Sequence, residues 1–227
     1  MNPTIACQNM ASFAKYRGGA TGALVDGTPL ICGNDYRNDG SDECYIITNS
    51  STSFVSKMNS KRSEAASVVV NINKLWVLGG RDDYSSYLSS SEYIQIGIGS
   101  STGPELPLAV YDHAMVALNQ STFMLIGGDH GGYVYLSKTF YFEESNQNWI
   151  PGPDLQQART GHAAGLGTDT ATSQQYIAVT GGRYYDSDIY WYIYLSSVEI
   201  LYSGETEWHW QTGKQRATTR PHIKVTT

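Results

Sequence analysis

The chain has 227 residues, 41% apolar and only 16% charged, with a formal net charge of −6. That length is enough for one all-β domain with a sizeable core. The acidic balance and the lack of a basic block exclude a nucleic-acid footprint, and no apolar run approaches the roughly 18 residues of a membrane span.

Residues 1–17 read as a lead-in segment. Met1-Asn2-Pro3-Thr4-Ile5-Ala6-Cys7 contains no basic region followed by an apolar core, so it does not read as a signal peptide. Strands are then predicted over Ala20 to Val25, Thr28 to Cys32, Glu43 to Thr48 and Ser53 to Lys57. The next group runs Ser63 to Val70, Lys74 to Leu78 and Ser91 to Ile96, with a weak fourth strand before Gly103-Pro104 breaks the pattern. The third group runs Asp112 to Leu118, Thr122 to Ile126, Ser137 to Glu143 and Gln147 to Ile150, closed by Pro151-Gly152-Pro153. The fourth runs Thr160 to Leu166, Gln175 to Thr180, Ser196 to Leu201 and Thr206 to Gln211. Residues 214–227 read as an irregular polar tail.

The second strand of each group ends in the same way. Gly79-Gly80, Gly127-Gly128 and Gly181-Gly182 follow apolar runs, and Gly33-Asn34 is a weaker copy. The steps between first glycines are 46, 48 and 54 residues. A repeat of that period, made of short strands and Gly-rich turns, predicts the blades of a β-propeller. The blades are expected at about residues 18–58, 59–106, 107–154 and 155–213.

As a set, these motifs resemble the kelch repeat. The resemblance rests on Gly-Gly after strand two, an aromatic on strand three (Tyr45, Tyr93, Tyr141, Tyr202) and a Trp on strand four (Trp149, and Trp208 or Trp210). It also rests on an Arg before strand one with a small residue or His three positions on, as in Arg62 with Ala65 and Arg159 with His162. It covers roughly residues 18 to 213, and it implies an all-β, kelch-type β-propeller of four-stranded antiparallel blades, about four being present. The copies are not uniform. Blade one has Gly-Asn and no Trp, blade two has no Trp, and blade three has Val110 where the Arg is expected. Kelch propellers usually have six or seven blades. Four copies therefore leave three readings: a fragment of a larger propeller (the preferred one), a closed four-bladed ring, or completion by self-association.

Cys32 and Cys44 flank the link between two predicted strands and can be neighbours in a hairpin. They read either as a disulfide in an oxidising compartment or as two half-buried thiols, with Cys7 left over. The sequons Asn49-Ser50-Ser51 and Asn119-Gln120-Ser121 mark candidate N-glycosylation at Asn49 and Asn119, on the face opposite the long loops.

In an antiparallel blade, the strand two-to-three loops and the inter-blade links share one face. That face collects Arg81, Asp82, Asp83, Tyr84, Asp129, His130, Arg183, Tyr184, Tyr185, Asp186 and Trp191. Loops on a rigid scaffold carry binding, and Tyr, Trp and Arg are its usual anchors. These residues are the expected binding set, with asparates and tyrosines acting as ordinary turn residues as the structural alternative. The expected function is a non-catalytic protein-interaction module. The alternatives are a galactose-oxidase-like or other sugar-modifying enzyme, or a glycan-binding propeller. Catalytic residues, metal ligands and cofactors are not assigned. No G-x-S-x-G elbow occurs, and His113 and His162 read as packed strand-one residues. The cysteine pair and the sequons favour an extracellular location, with a cytoplasmic one as the alternative.

Overall fold

The computed structural model describes residues 18–34, 41–48, 51–82 and 86–203, and the backbone of 208–212. Four antiparallel sheets follow one another along the chain. The first is β1 (Thr21–Val25), β2 (Thr28–Cys32), β3 (Glu43–Ile47) and β4 (Thr52–Lys57). The second is β5 (Ala66–Val70), β6 (Lys74–Leu78), β7 (Ser91–Gln95) and β8 (Gly99–Thr102). The third is β9 (Ala114–Ala117), β10 (Thr122–Ile126), β11 (Thr139–Glu143) and β12 (Asn148–Pro151). The fourth is β13 (Ala163–Thr168), β14 (Gln175–Thr180), β17 (Val198–Ser203) and β18 (Trp208–Thr212). A separate hairpin, β15 (Arg183–Asp186) with β16 (Trp191–Tyr194), is inserted between β14 and β17. The first strands pack on one another in sequence, β1 on β5, β5 on β9 and β9 on β13, so they lie innermost about a common axis. The architecture is all-β, a four-bladed β-propeller, with no helix among the described residues.

Period-two alternation explains how the sheets stack. On β6, Leu75 and Val77 pack toward the first sheet, with Val25, Leu30 and Met58. Trp76 and Leu78 on the same strand pack toward the third sheet, with Phe123, Leu125 and Phe142. On β10, Phe123 and Leu125 face back, while Met124 and Ile126 meet Ile177, Val179 and Leu201 of the fourth sheet. Every apolar residue of these two central strands is therefore buried. The terminal sheets bury one face only. Ile177 and Val179 of β14 are buried, whereas Tyr176 and Ala178 on the opposite face are only half-buried and Thr180 is exposed.

Turn chemistry sets the hairpins. Asp26-Gly27 joins β1 to β2 with both residues at positive φ, the two-residue turn that matches strand twist. Ser91 and Thr139, the first residues of β7 and β11, each donate a side-chain hydroxyl to a proline carbonyl, Pro104 at 2.6 Å and Pro153 at 2.8 Å. These bonds tie the end of each blade back to its third strand.

Trp149 packs as the repeat requires. Its ring lies 5.9 Å from Trp76 and its indole N–H donates to the Glu105 carbonyl at 2.8 Å, bridging the second and third blades. The strand-three aromatics are less uniform than their spacing suggested. Tyr93 lies opposite Trp76, and Tyr141 opposite Met124, at the same register position. Tyr45 is one residue out of step, opposite Ile31, so it faces the other side of its sheet. There it packs edge-on to Phe54 and donates to Glu43 at 3.0 Å. Cys32 and Cys44 are direct cross-strand partners with Cα atoms 4.1 Å apart, fully buried, their sulfurs at bonding distance.

Candidate functional site

The residue after each glycine doublet is fixed by a backbone bridge to the segment leading into strand one of its own blade. Arg81 pairs with Ser63, Asp129 with Tyr111, and Arg183 with Thr160. Arg81 and Asp129 bridge onward to Tyr87 and Tyr135. Three successive blades thus place an Arg, an Asp and an Arg at equivalent positions of the long-loop face.

A second set of positions lies closer to the axis. The Glu64 amide donates to the Gly19 carbonyl, Asp112 to Glu64, and Gly161 to Asp112, linking four blades at one end of the inner strands. This puts the carboxylates of Glu64 and Asp112 beside the arginines. Arg81 Nη2 lies 2.6 Å from Glu64 Oε2, and Arg183 Nη2 lies 3.8 Å from Asp112 Oδ2. Burial pushes the Asp112 carboxyl up, and Arg183 and Arg81 partly oppose that.

Aromatic rings close the assembly. Arg81 lies over the Tyr111 ring at 4.6 Å, and Tyr111 stacks on Tyr87 at 5.2 Å. Tyr111 donates its hydroxyl to Asp129 Oδ2 at 2.7 Å, while Asp129 Oδ1 accepts from the Gly131 amide at 2.7 Å. A side chain on Gly131 would run into the Tyr87 ring, so the backbone must pass bare at that point. In the next loop, Tyr133 packs on Tyr185 at 4.7 Å, Tyr185 meets Tyr192 at 5.3 Å, and Arg183 lies over Tyr192 at 5.2 Å. Burial, then the bond to Asp129, pushes the Tyr111 phenol well above its usual range; burial, then the bond to Tyr192, does the same for Tyr135. Both phenols therefore stay protonated at neutral pH and act as hydrogen-bonding groups.

Of the expected binding residues, Arg81, Asp129, Arg183 and Tyr185 converge here. His130 turns outward, with Nδ1 at 2.6 Å from the Ala109 carbonyl. Asp82 closes a turn through its amide to Ser86. Tyr184 lies opposite Ile193, on the other face of the hairpin from Tyr185. Asp186 caps the hairpin turn by accepting from the Asp188 amide, and Trp191 is exposed. Asp83 and Tyr84 lie outside the described residues, as does Asn49. Asn119 sits exposed in the β9–β10 turn, its Oδ1 accepting from the amides of Ser121 and Thr122. Glu64, Asp112, Tyr111 and Tyr135 were not singled out from the sequence. A usable signal was there for the two carboxylates, because each stands two residues after the repeat position held by Arg62 and Val110. Among the described residues, no cluster of three or more His, Cys, Asp or Glu is placed to hold a metal ion. No described helix is long and apolar enough to cross a membrane.

Four such sheets about an axis, with a charged and aromatic mouth at one end, define a β-propeller. Among solved structures the chain is similar to that of YjhT, with a TM-score of 0.75 over 91% of this chain and 73% of that one, at 14% identity. At that identity the likeness establishes the fold. No sequence family matches the chain, and no curated protein matches it in sequence.

Proposed function

We propose that this chain is a kelch-type propeller acting as a non-catalytic binding module, and that the long-loop face takes a protein partner. The supporting observation is the convergence of Arg81, Tyr87, Tyr111, Asp129, Arg183, Tyr185 and Tyr192 from three blades into one polar and aromatic surface. Such surfaces supply binding anchors, because rigid rings and planar guanidinium groups lose little freedom on contact. The buried Cys32–Cys44 pair supports an oxidising, extracellular setting.

Chemical cross-linking and capture from the native source test the reading. Arg81→Ala and Tyr185→Ala should each weaken the captured complex about tenfold or more, the scale of an anchor residue. Leu24→Ala, at an exposed site on the first sheet, should leave it intact. A complex lost with Leu24→Ala but kept with both loop variants would move the binding face and end this proposal.

A further inference from the structure

Asn119-Gln120-Ser121 forms the tip of the β9–β10 hairpin, and all three residues are exposed. The tip is tight, because the amides of Leu118 and Asn119 both donate to the Thr122 carbonyl, at 2.9 and 3.4 Å. Asn119 Oδ1 is committed to the turn. It accepts from the amides of Ser121 and Thr122, each at 2.8 Å, and from the Ser121 hydroxyl at 3.1 Å. Those bonds fix the carboxamide through its oxygen and leave Nδ2, the atom on which an N-linked sugar is built, outside them. The hydroxyl that a sequon places two residues on is the one in contact with the carboxamide.

There is room for a bulky group on either side of the tip. Asn119 borders one open cavity of about 760 Å³ with Tyr141 and Ile150, and another of about 570 Å³ with Ile72 and Leu166. The Tyr141 hydroxyl is buried with no hydrogen-bond partner among the described residues, and a sugar hydroxyl supplies one. Ile72 and Leu166 are 74% and 38% exposed, so a hydrated glycan rooted beside them covers apolar surface. Thr122 opens β10 and Ile126 closes it before Gly127, so the tip lies at the end of the third blade away from the long loops. The compartment is the one the chemistry needs. Cys32 and Cys44 are buried with their sulfurs at bonding distance, and such bonds persist along the oxidising secretory route where sequons are modified.

We propose that Asn119 is an N-glycosylation site, carrying an oligosaccharide on Nδ2 at the end of the molecule opposite the long-loop face. In the modifying step Nδ2 loses a proton and bonds to sugar C1. The C1–O bond of a polyprenyl-diphosphate-linked oligosaccharide breaks, and polyprenyl diphosphate leaves with the electron pair. The glycan occupies the short-turn face and leaves the long-loop face bare.

The test is mass spectrometry of the whole chain from its native source, digested before and after treatment with peptide N-glycosidase. The expected result is a glycopeptide containing residues 119–121 that the enzyme converts, in heavy-oxygen water, to the labelled aspartate form. Variants of the full chain secreted from eukaryotic cells then assign the signal. Ser121→Ala should abolish the modification at residue 119, and Ser121→Thr should retain it. Asn119→Asp keeps an oxygen acceptor for the turn, so it should lose the sugar while the chain is still secreted with the Cys32–Cys44 bond formed. A bare Asn119 in the native protein, a sugar that resists the enzyme because it sits on Ser121, or a glycan on Asn119 that survives Ser121→Ala would each overturn the proposal.

Discussion

The second and fourth blades hold their long-loop ends together with a buried ion pair, and the third blade uses hydrocarbon in the same place. Arg62 Nη2 meets Glu92 Oε1 at 2.9 Å, and Arg159 Nη2 meets Glu199 Oε1 at 2.5 Å, with all four side chains at most 2% exposed. Each Arg also donates to the carbonyl of its own first glycine, Gly79 at 2.9 Å and Gly181 at 2.8 Å. Each Glu accepts two backbone amides from the preceding link, those of Asn59 and Ser60 or of Gln156 and Gln157. In the third blade the corresponding residues are Val110 and Phe140, packed in the cluster around Trp76. The correspondence is fixed by backbone bonds. Asn34, Gly80 and Gly128 donate to the carbonyls of Arg62, Val110 and Arg159. The amides of Gly79, Gly127 and Gly181 donate to the carbonyls of Ser90, Lys138 and Ser197, two residues before Glu92, Phe140 and Glu199. The lesson is that the repeat needs the slot filled and satisfied, by either chemistry, which is how buried ion pairs behave when whole pairs are exchanged.

Breaking one member of a pair should have the largest effect. Glu92→Ala leaves the Arg62 guanidinium buried without its counter-ion and should cost about 3–5 kcal/mol in chemical denaturation. Installing the third blade's solution, Arg62→Val with Glu92→Phe, should cost less than that single change. A double variant as unstable as the sum of its parts would show that the blades are not equivalent.

Next in size is the glycine doublet. Gly79 has a φ of 59°, and a Cβ there would lie 2.4 Å from the Val110 carbonyl of the next blade. Gly181 has a φ of 69°, but a Cβ there meets nothing closer than the Leu195 carbonyl at 3.9 Å. Both substitutions to Ala incur the left-handed backbone cost of about 1–2 kcal/mol. Gly79→Ala should incur about 1–3 kcal/mol more for the collision between blades. Equal midpoints for the two variants would mean that inter-blade packing does not explain the first glycine.

A pH-dependent effect concerns one further slot, filled by Ala65 in the second blade and by His113 and His162 in the third and fourth. Burial pushes the His113 imidazole down to about 3 and that of His162 to about 4, each helped by a neighbouring cationic or titratable side chain. Both folded values lie below the unfolded one near 6.5, so the unfolded state binds more protons between them. Stability is fully present above pH 6.5 or so and falls as pH drops toward 4. Thermal melting at pH 7 and pH 4.5 checks this. His113→Phe should flatten the slope, and an unchanged slope would exclude His113 as its source.

Much of the fold was legible. Gly-Gly doublets, Asp26-Gly27 and the Pro-containing links report local backbone demands, so they show directly in the string. Arg62 and Arg159 were visible as a motif, but their partners Glu92 and Glu199 were not, being 30 and 40 residues away. A Ser two residues before each Glu, at Ser90 and Ser197, was the signal that could have paired them. The candidate site was half legible for the same reason. Arg81, Asp129 and Arg183 follow glycines and stood out, while Tyr111, Glu64 and Asp112 gain meaning only from what lies across the axis.

The sequence alone determined the period of the repeat, four strands per blade and the face that collects the long loops, because alternation and turn residues act within a few positions along the chain. Tertiary structure decided the rest. It showed that Cys32 faces Cys44, that Tyr45 is out of register, that residues 183–194 form their own hairpin, and that an Arg–Glu pair and a Val–Phe pair occupy the same slot in different blades. Each of these depends on where a distant strand comes to rest, and that is set by the summed burial of whole sheets rather than by any local residue.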